Sequence, residues 1–245
     1  MLDLGLLVTM LVVWAGLAAA ARWLPITSYE RADVLDQLYG PALAGLVVGR
    51  LTAVLLDDPE SLGSIRALLV VRSGVEFWAG VAVFFVLLRR SVVRRHRGRG
   101  HEALAELAPF ALWGYALYEA TCGLRDGCYG PVSSLGLTPD GLAERHFPIG
   151  MAVGVAVAAL ALGVRHLRVV PAGDRLLLAV GGLAAIRAVA AVWLPHLGAG
   201  LTRQHEQSVA VAAAALGILG WRRARHRTGT TSESLPVLKA GGGRG

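Results

Sequence analysis

Residues 35–56, LDQLYGPALAGLVVGRLTAVLL, are long and apolar enough to cross a lipid bilayer as one helix. A membrane-spanning helix needs roughly 20 mostly apolar residues to cross about 30 Å of hydrocarbon. Small residues such as Ala42, Gly45 and Gly49 recur along the stretch, and small residues let helices pack closely in lipid. The stretch therefore predicts a transmembrane helix, with Arg50 deep inside it.

The rest of the chain repeats this pattern. Further apolar stretches lie at residues 4–24, 67–88, 104–122, 147–164, 176–194 and 208–221, the last of which is short and could begin near Thr202. Only 17% of the 245 residues are charged, whereas a soluble domain has about a quarter. A large soluble helical bundle is the alternative, but its exposed faces would need more charge. The sequence predicts an all-α polytopic membrane protein with about seven transmembrane helices and argues against a soluble enzyme.

The basic residues predict the orientation of these helices. With the N-terminus outside and the C-terminus cytoplasmic, most of the 24 basic residues fall in cytoplasmic segments, as the positive-inside rule requires. The run RRHRGRGH at residues 94–101 is interpreted as a topology signal beside anionic lipid, and no nucleic-acid partner is expected. Residues 1–221 form the predicted transmembrane domain, and 222–245 a disordered basic cytoplasmic tail. The sequence therefore predicts a multi-pass membrane protein.

Four ionisable residues lie within or at the edge of the apolar stretches, namely Arg50, Glu76, Glu119 and Arg187. Ionisable groups at membrane depth cost a few kcal/mol, so they usually face a cavity or a partner. One interpretation is an internal ion pair, such as Glu119 with Arg187 or with Arg50, that stabilises helix packing. The other is a lateral pocket in which guanidinium groups bind an anionic lipid phosphate in a bidentate manner.

The two cysteines and the histidines give no metal-site pattern. Cys122 and Cys128 form a C-x5-C segment in the predicted outer loop, where a disulfide and two free thiols are equally compatible with the sequence. No HExxH or close Cys/His cluster occurs, and no nucleotide-binding glycine motif accompanies them. Neither a metal nor a cofactor is expected.

Six short segments in a fixed order carry a resemblance to a known family. They are GRLTAVL (49–55), SGVEFWAG (73–80), ELAP (106–109), YEATCGLRDGCYG (118–130), RHFP (145–148) and IRAVAAVW (186–193). In order, spacing and membrane placement they resemble the prolipoprotein diacylglyceryl transferases, which lipidate bacterial lipoprotein precursors. The resemblance extends over residues 31–217.

The resemblance implies an activity and its partners. The family transfers a diacylglyceryl group from phosphatidylglycerol to the cysteine thiol of a lipobox, inside a cavity that opens sideways to the bilayer. The implied partners are phosphatidylglycerol or another anionic lipid, and a lipoprotein precursor peptide. The implied location is the bacterial plasma membrane, as a multi-pass protein. The residues carried over to substrate binding are Arg50, Arg187, Tyr129, Gly130 and Trp78.

Several positions depart from the family pattern. Tyr118–Glu119 stands where the family's signature opens with a glycine–arginine pair, and Trp78 stands at the histidine proposed as the base. Ala191 stands at the family's glutamate four residues after the sixth-span arginine. The candidate catalytic residues are therefore Glu119 and Tyr118, with Glu76 as a further possible base. We expect Glu119 to face Arg187 and so to rebalance the charge lost at Ala191.

Three functions are compatible with the sequence. The first is a diacylglyceryl transferase, and the second is a non-catalytic relative that binds lipid, lipoprotein or a membrane partner in the same cavity. The third, a small-solute transporter or channel, is disfavoured because no pair of Gly/Pro-broken helices occurs in matching halves. The cavity interpretation predicts that Arg50, Glu119 and Arg187 converge on one cavity.

Overall fold

The computed structural model describes residues 4–23, 26–57, 59–63, 75–125, 129–138, 143–194 and 202–229. Over these residues the chain is almost entirely helical, so the predicted all-α class is confirmed. The helices are α1 (Leu4–Trp23), α2 (Arg31–Asp57), α3 (Phe77–Arg95), α4 (Gly100–Ala120), α5 (Ile149–His166), α6 (Ala172–Ala191) and α7 (Arg203–Gly229). Between α4 and α5, a short strand β1 (Val132–Leu137) pairs antiparallel with His146.

Helices α3 and α7 depart most from the predicted spans. Residues 75 and 76 are not helical and α3 begins at Phe77, so the predicted continuous span over residues 67–88 is not found. Helix α3 then runs on to Arg95, so much of the predicted basic loop after residue 88 continues the helix. Helix α7 begins at Arg203, in agreement with the earlier start near Thr202, and runs through to Gly229. Residues 222–229 are therefore helical and do not belong to a disordered tail. The helix continues past residue 221, where its apolar stretch ends. Residues 67–74 and 230–245 lie outside the described part of the chain.

Two of the described helical segments are long and apolar enough to cross a membrane. They are Asp33–Asp57 in α2 and Ile149–His166, which is α5, and Leu7–Arg22 in α1 is a shorter apolar segment. The buried core helix of a soluble protein can pass the same test of length and hydropathy. The structure is thus compatible with a membrane location.

Helix α4 is the central element of the bundle and packs against α1, α3, α5 and α6. One core cluster surrounds Leu107 and includes residues of the first three helices, such as Val34 and Val92. A second cluster surrounds Leu112 on α4 and Val157 on α5. The two clusters lie toward opposite ends of α4, so α4 contributes to both parts of the core.

Helices α2 and α3 touch through their backbones at glycines. A Cβ added at Gly45 would lie 2.7 Å from the carbonyl oxygen of Gly80, and one at Gly49 would lie 2.9 Å from that of Glu76. The carbonyl of Gly49 accepts a hydrogen bond of 2.9 Å from the backbone N–H of Glu76. The close packing predicted for Gly45 and Gly49 is confirmed, and it fixes Glu76 directly against α2.

The helices alternate in direction, so the bundle has two ends. We call the end at which α2, α4 and α6 finish and α3, α5 and α7 begin the upper end, and the opposite one the lower end. At the lower end Arg95 pairs with Asp33 and Arg222 pairs with Asp174. The upper end, which is the predicted outer side, holds the polar groups described next.

Candidate functional site

Arg187, on α6, is the most enclosed of the arginines whose contacts are described near the upper end. Its Nη1 contacts the hydroxyl of Tyr115 and lies 3.3 Å from Oε1 of Glu119, while Nη2 donates to Oε1 of Gln204 at 3.0 Å. The guanidinium carbon lies 4.0 Å from the centre of the Phe77 ring. The predicted ion pair of Glu119 with Arg187 is confirmed. It offsets the cost of burying either charge, since each side chain is only about 15% exposed.

Tyr115 and Glu119 lie one helical turn apart on α4, which brings their side chains to the same face. The Tyr115 hydroxyl donates to Oε1 of Glu119 at 2.5 Å, and Arg187 contacts that same oxygen. Among the described residues, Oε2 of Glu119 is therefore left as the oxygen that could accept a proton from a substrate. Tyr118 lies beside this group, with its ring stacked on that of Tyr115 at a centroid separation of 6.5 Å.

A second polar group surrounds Glu76, which precedes the first turn of α3 and is 4% exposed. Oε1 of Glu76 accepts from Nε2 of Gln207 at 2.9 Å and lies 3.3 Å from Nε of Arg203. Nη2 of Arg203 donates to Oδ1 of Asp57 at 2.9 Å, so one guanidinium joins the end of α2 to the start of α3. The hydrogen bond with Asp57, together with the charge of Glu76, raises the pKa of Arg203 above its ordinary value.

Asp57, Glu76 and Arg203 border a cavity of about 340 Å³ at the upper end, which we call the upper cavity. Its lining combines polar side chains with small apolar ones. The lining residues are Ala53, Asp57, Val75, Glu76, Ala191, Leu194, Thr202, Arg203 and Gln204. Gln204 both lines this cavity and accepts from Arg187, so it connects the Glu119–Arg187 pair to the cavity wall. Ala191 is one of the small apolar residues of this lining.

Neither Trp78 nor Arg50, both predicted to bind substrate, is among the residues that line the upper cavity. Trp78 Nε1 donates to Oγ of Ser208 at 2.9 Å, and that hydroxyl donates to the carbonyl of Gln204 at 2.6 Å. Trp78 therefore fixes α7 against α3 beside the cavity. Arg50 is buried on α2, and helical spacing places it one turn from Ala53, which lines the cavity. Glu119 and Arg187 meet in an ion pair, but neither they nor Arg50 are among the residues that line the upper cavity, so the predicted convergence of all three on this cavity is not found.

Tyr129 and Gly130 lie in the connection between α4 and α5. The N–H of Gly130 donates to the carbonyl of Phe147 at 2.7 Å, and its carbonyl lies 2.9 Å from Nδ1 of His146. A Cβ at Gly130 would lie 3.1 Å from the Phe147 oxygen and 3.5 Å from that of Trp193. Gly130 thus lets the connection lie close against the ends of α5 and α6, while Tyr129 is half-buried beside it. Cys122 is buried, and Cys128 lies outside the described residues.

Sequence reasoning missed several members of this network. Tyr115, Asp57, Arg203, Gln204 and Gln207 were not predicted as site residues, although all of them contact one of the charged groups. Tyr115 has a signal in the sequence, because it precedes Glu119 by one helical turn. Arg203 has no such signal, since nothing in the linear sequence places it beside Asp57 and Glu76.

Comparison of the chain with models of known protein families finds no match, and comparison with curated proteins finds no match either. The function proposed below therefore rests on the residues of the chain, on their resemblance to the transferase motifs and on the geometry of the upper cavity. Substitutions of single residues test the geometry directly.

Proposed function

We propose that this chain is a multi-pass protein of the bacterial plasma membrane, with seven transmembrane helices, the N-terminus outside and the C-terminus in the cytoplasm. Large apolar side chains on four different helices support the proposal, since Leu43, Val86, Val155 and Leu216 are each about 60–70% exposed. Exposed apolar surface of this extent suits contact with lipid or another protein rather than with water. The basic ends of α3 and α7 lie at the lower end, where the positive-inside rule would place the cytoplasm.

Within this membrane protein, we propose a phosphatidylglycerol–prolipoprotein diacylglyceryl transferase-like function, with the lipid headgroup held at the upper cavity. The observation that carries the proposal is the connected network at that end. It joins Glu119 and Arg187, which fall in two of the transferase-like motifs, to a cavity large enough for a phospholipid headgroup. A polar cavity at the end of an apolar bundle is where a headgroup can be bound while its acyl chains stay in lipid.

The transfer reaction sets demands on this site. A C–S bond forms between the acceptor cysteine and the glycerol carbon of the diacylglyceryl group, while the C–O bond from that carbon to phosphate breaks. The thiol proton goes to a base, and glycerol phosphate leaves with the electron pair of the broken bond. We assign the base to Oε2 of Glu119, with Tyr118 beside it, and the stabilisation of the departing phosphate to Arg187 and Arg50.

A second candidate is a non-catalytic relative that binds lipid or a membrane partner in the same cavity. One observation favours it, namely that Glu119 and Arg187 neutralise each other and are further held by Tyr115 and Gln204. An ion pair of this kind stabilises the bundle without needing a ligand. In this candidate the upper cavity still takes a phospholipid headgroup, but no bond is broken.

Complementation of cells depleted of their own transferase, together with in vitro transfer to a lipobox peptide, tests the first candidate. We expect a diacylglyceryl thioether on the peptide cysteine, lost in Glu119→Gln and kept in the control Glu102→Gln, an exposed carboxylate at the lower end. Folded protein that binds phosphatidylglycerol but yields no product would contradict transfer and support the second candidate. Phosphatidylglycerol binding that is unchanged in both Arg50→Ala and Arg187→Ala would contradict both.

A further inference from the structure

The upper cavity presents an arginine with unused hydrogen-bond donors. Nε of Arg203 is directed to Glu76 and Nη2 to Asp57, so among the described residues the Nη1 group is left to donate to a ligand. The side chain is 43% exposed and belongs to the cavity lining. Arg187, by contrast, is enclosed by its partners on three helices. Arg203 is therefore the cation of this network that a ligand in the cavity can contact first.

The same cavity presents carboxylate oxygens as acceptors. Both contacts of Glu76 within the described part of the chain use Oε1, which leaves Oε2 for a donor from a ligand. Among the same residues, Asp57 binds Arg203 through Oδ1, which leaves Oδ2 as a further acceptor for a ligand. The Glu76 side chain is only 5% exposed, so a ligand that covers this oxygen without donating to it removes its remaining solvation and binds more weakly.

The charges of the lining do not fit a simple phosphate site. Asp57 and Glu76 supply two negative charges and Arg203 supplies one positive charge, while Arg187 is balanced by Glu119. A site for phosphate alone would hold an excess of arginine or lysine. A guanidinium flanked by two carboxylates instead matches a ligand that carries its anionic centre beside N–H or O–H donors.

We propose that the upper cavity recognises a phosphodiester headgroup whose terminal group donates hydrogen bonds, with Arg203 as a further cation on the phosphate beside Arg187 and Arg50, and with Glu76 and Asp57 accepting from the terminal group. This inference rests on the proposed function, because it assumes that the cavity holds a phospholipid. It adds specificity-determining residues that the transferase-like motifs do not include. Glycerol with its hydroxyls and ethanolamine with its ammonium are the two headgroups of this kind used in the test.

Matched pairs of lipids separate the terminal donors from the charge. Phosphatidylglycerol and phosphatidylmethanol carry the same charge, but only the first has headgroup hydroxyls. Phosphatidylethanolamine and phosphatidylcholine are both zwitterionic, but only the first has N–H donors. The full chain, in detergent micelles or nanodiscs without these lipids, is titrated with each, and bound lipid is counted by native mass spectrometry.

We expect the donor-bearing member of at least one pair to bind about tenfold more tightly than its partner, since a hydrogen bond to a charged group contributes at that level. A preference within the glycerol pair identifies phosphatidylglycerol as the ligand, and one within the ethanolamine pair identifies an amino-headgroup lipid. Equal binding within both pairs overturns the inference while leaving lipid binding by the cavity intact. Failure of all four lipids to bind contradicts the proposed function itself.

Three variants assign the effect to residues. Glu76→Gln removes the buried acceptor charge. It should bring the ratio of affinities for the two lipids of the preferred pair close to one, while binding of phosphatidylmethanol changes little. Asp57→Asn, at a half-exposed position, makes the same test should Glu76→Gln fail to fold. Arg203→Gln should weaken all bound lipids several-fold, whereas the control Arg168→Gln, an exposed arginine at the lower end, should not. Full preference retained in both carboxylate variants would overturn the assignment.

Discussion

Arg187 is held by side chains from three other helices, and each contact satisfies a different part of its guanidinium. Glu119 and Tyr115 on α4 bind Nη1, Gln204 on α7 binds Nη2, and the Phe77 ring of α3 covers one face. Arginine suits this position because its planar group donates in several fixed directions and stacks on aromatic rings, whereas a lysine ammonium is a compact point charge. The charge of Arg187 is costly in an apolar bundle, and side chains from three other helices contact the group that carries it.

Removing one partner of this pair is expected to destabilise the fold. In Glu119→Gln the charge of Arg187 is left without its carboxylate, and we expect a loss of about 2–3 kcal/mol in the free energy of unfolding, less than for a fully buried pair because both side chains are partly exposed. Thermal unfolding of the purified protein in detergent measures the effect. The control Glu102→Gln breaks the exposed Arg99–Glu102 contact and should change little. Equal melting temperatures for the two variants would contradict a stabilising role for the pair.

At the scale of elements, the contact between α2 and α3 decides where the polar groups lie. Gly45 faces the backbone of Gly80 across this contact, and Gly49 faces Glu76. Because no side chain separates the helices, the N–H of Glu76 reaches a carbonyl of α2 and the Glu76 carboxylate comes within reach of Arg203 on α7. The glycines therefore do more than permit packing, since they let the backbone of Glu76 bond directly to α2.

A pair of alanine substitutions in α2 tests this contact. In Gly45→Ala the new Cβ would lie 2.7 Å from the Gly80 carbonyl oxygen, so the helices must separate, and we expect a loss of about 1–3 kcal/mol. Gly40→Ala places its Cβ in open space and should be neutral or stabilising by up to about 1 kcal/mol, because alanine favours the helix. Thermal unfolding of both proteins provides the comparison. A Gly45→Ala protein as stable as Gly40→Ala would show that the contact is looser than described.

At the scale of the whole molecule, the alternation of the helices separates two chemically different ends. The lower end holds exposed arginines of α3 and α7, with Arg95 and Arg222 paired to carboxylates. The upper end holds the cavity, the Glu119–Arg187 pair and the strand β1. The proposed orientation follows from this separation, because arginines near helix ends are retained on the cytoplasmic side.

Labelling of introduced cysteines tests the orientation. Leu135 in β1 is 77% exposed at the upper end, and Val169 between α5 and α6 is 98% exposed at the lower end. In intact cells, Leu135→Cys should react with a membrane-impermeant maleimide, whereas Val169→Cys should react only after the cells are opened. The parent protein gives the background from its two native cysteines. The reverse pattern would invert the proposed topology, and equal labelling of both sites in intact cells would contradict a membrane-spanning bundle.

Much of the helical fold could be predicted from the sequence, and less of the site. Apolar stretches located each described helix, because helix formation and apolar burial are properties of neighbouring residues. The end of α7 at Gly229 was missed, since a helix can continue on polar residues once its first part is packed. Glu119 and Arg187 were correctly paired because a buried charge requires a counter-charge and few were available. Arg203 and Gln204 were missed because their partners lie far away in the chain.

By itself, the sequence determined that this protein is helical, poor in charge and asymmetric in its arginines, and that Glu119 and Arg187 need partners. These properties follow from composition and from spacing along one helix, which do not depend on how the helices are arranged. Only the tertiary structure decided that Asp57, Glu76 and Arg203, from three different elements, meet at one cavity beside Ala191. Such a meeting depends on the close backbone contact of α2 with α3 and on the docking of α7, and therefore on distances that local sequence does not encode.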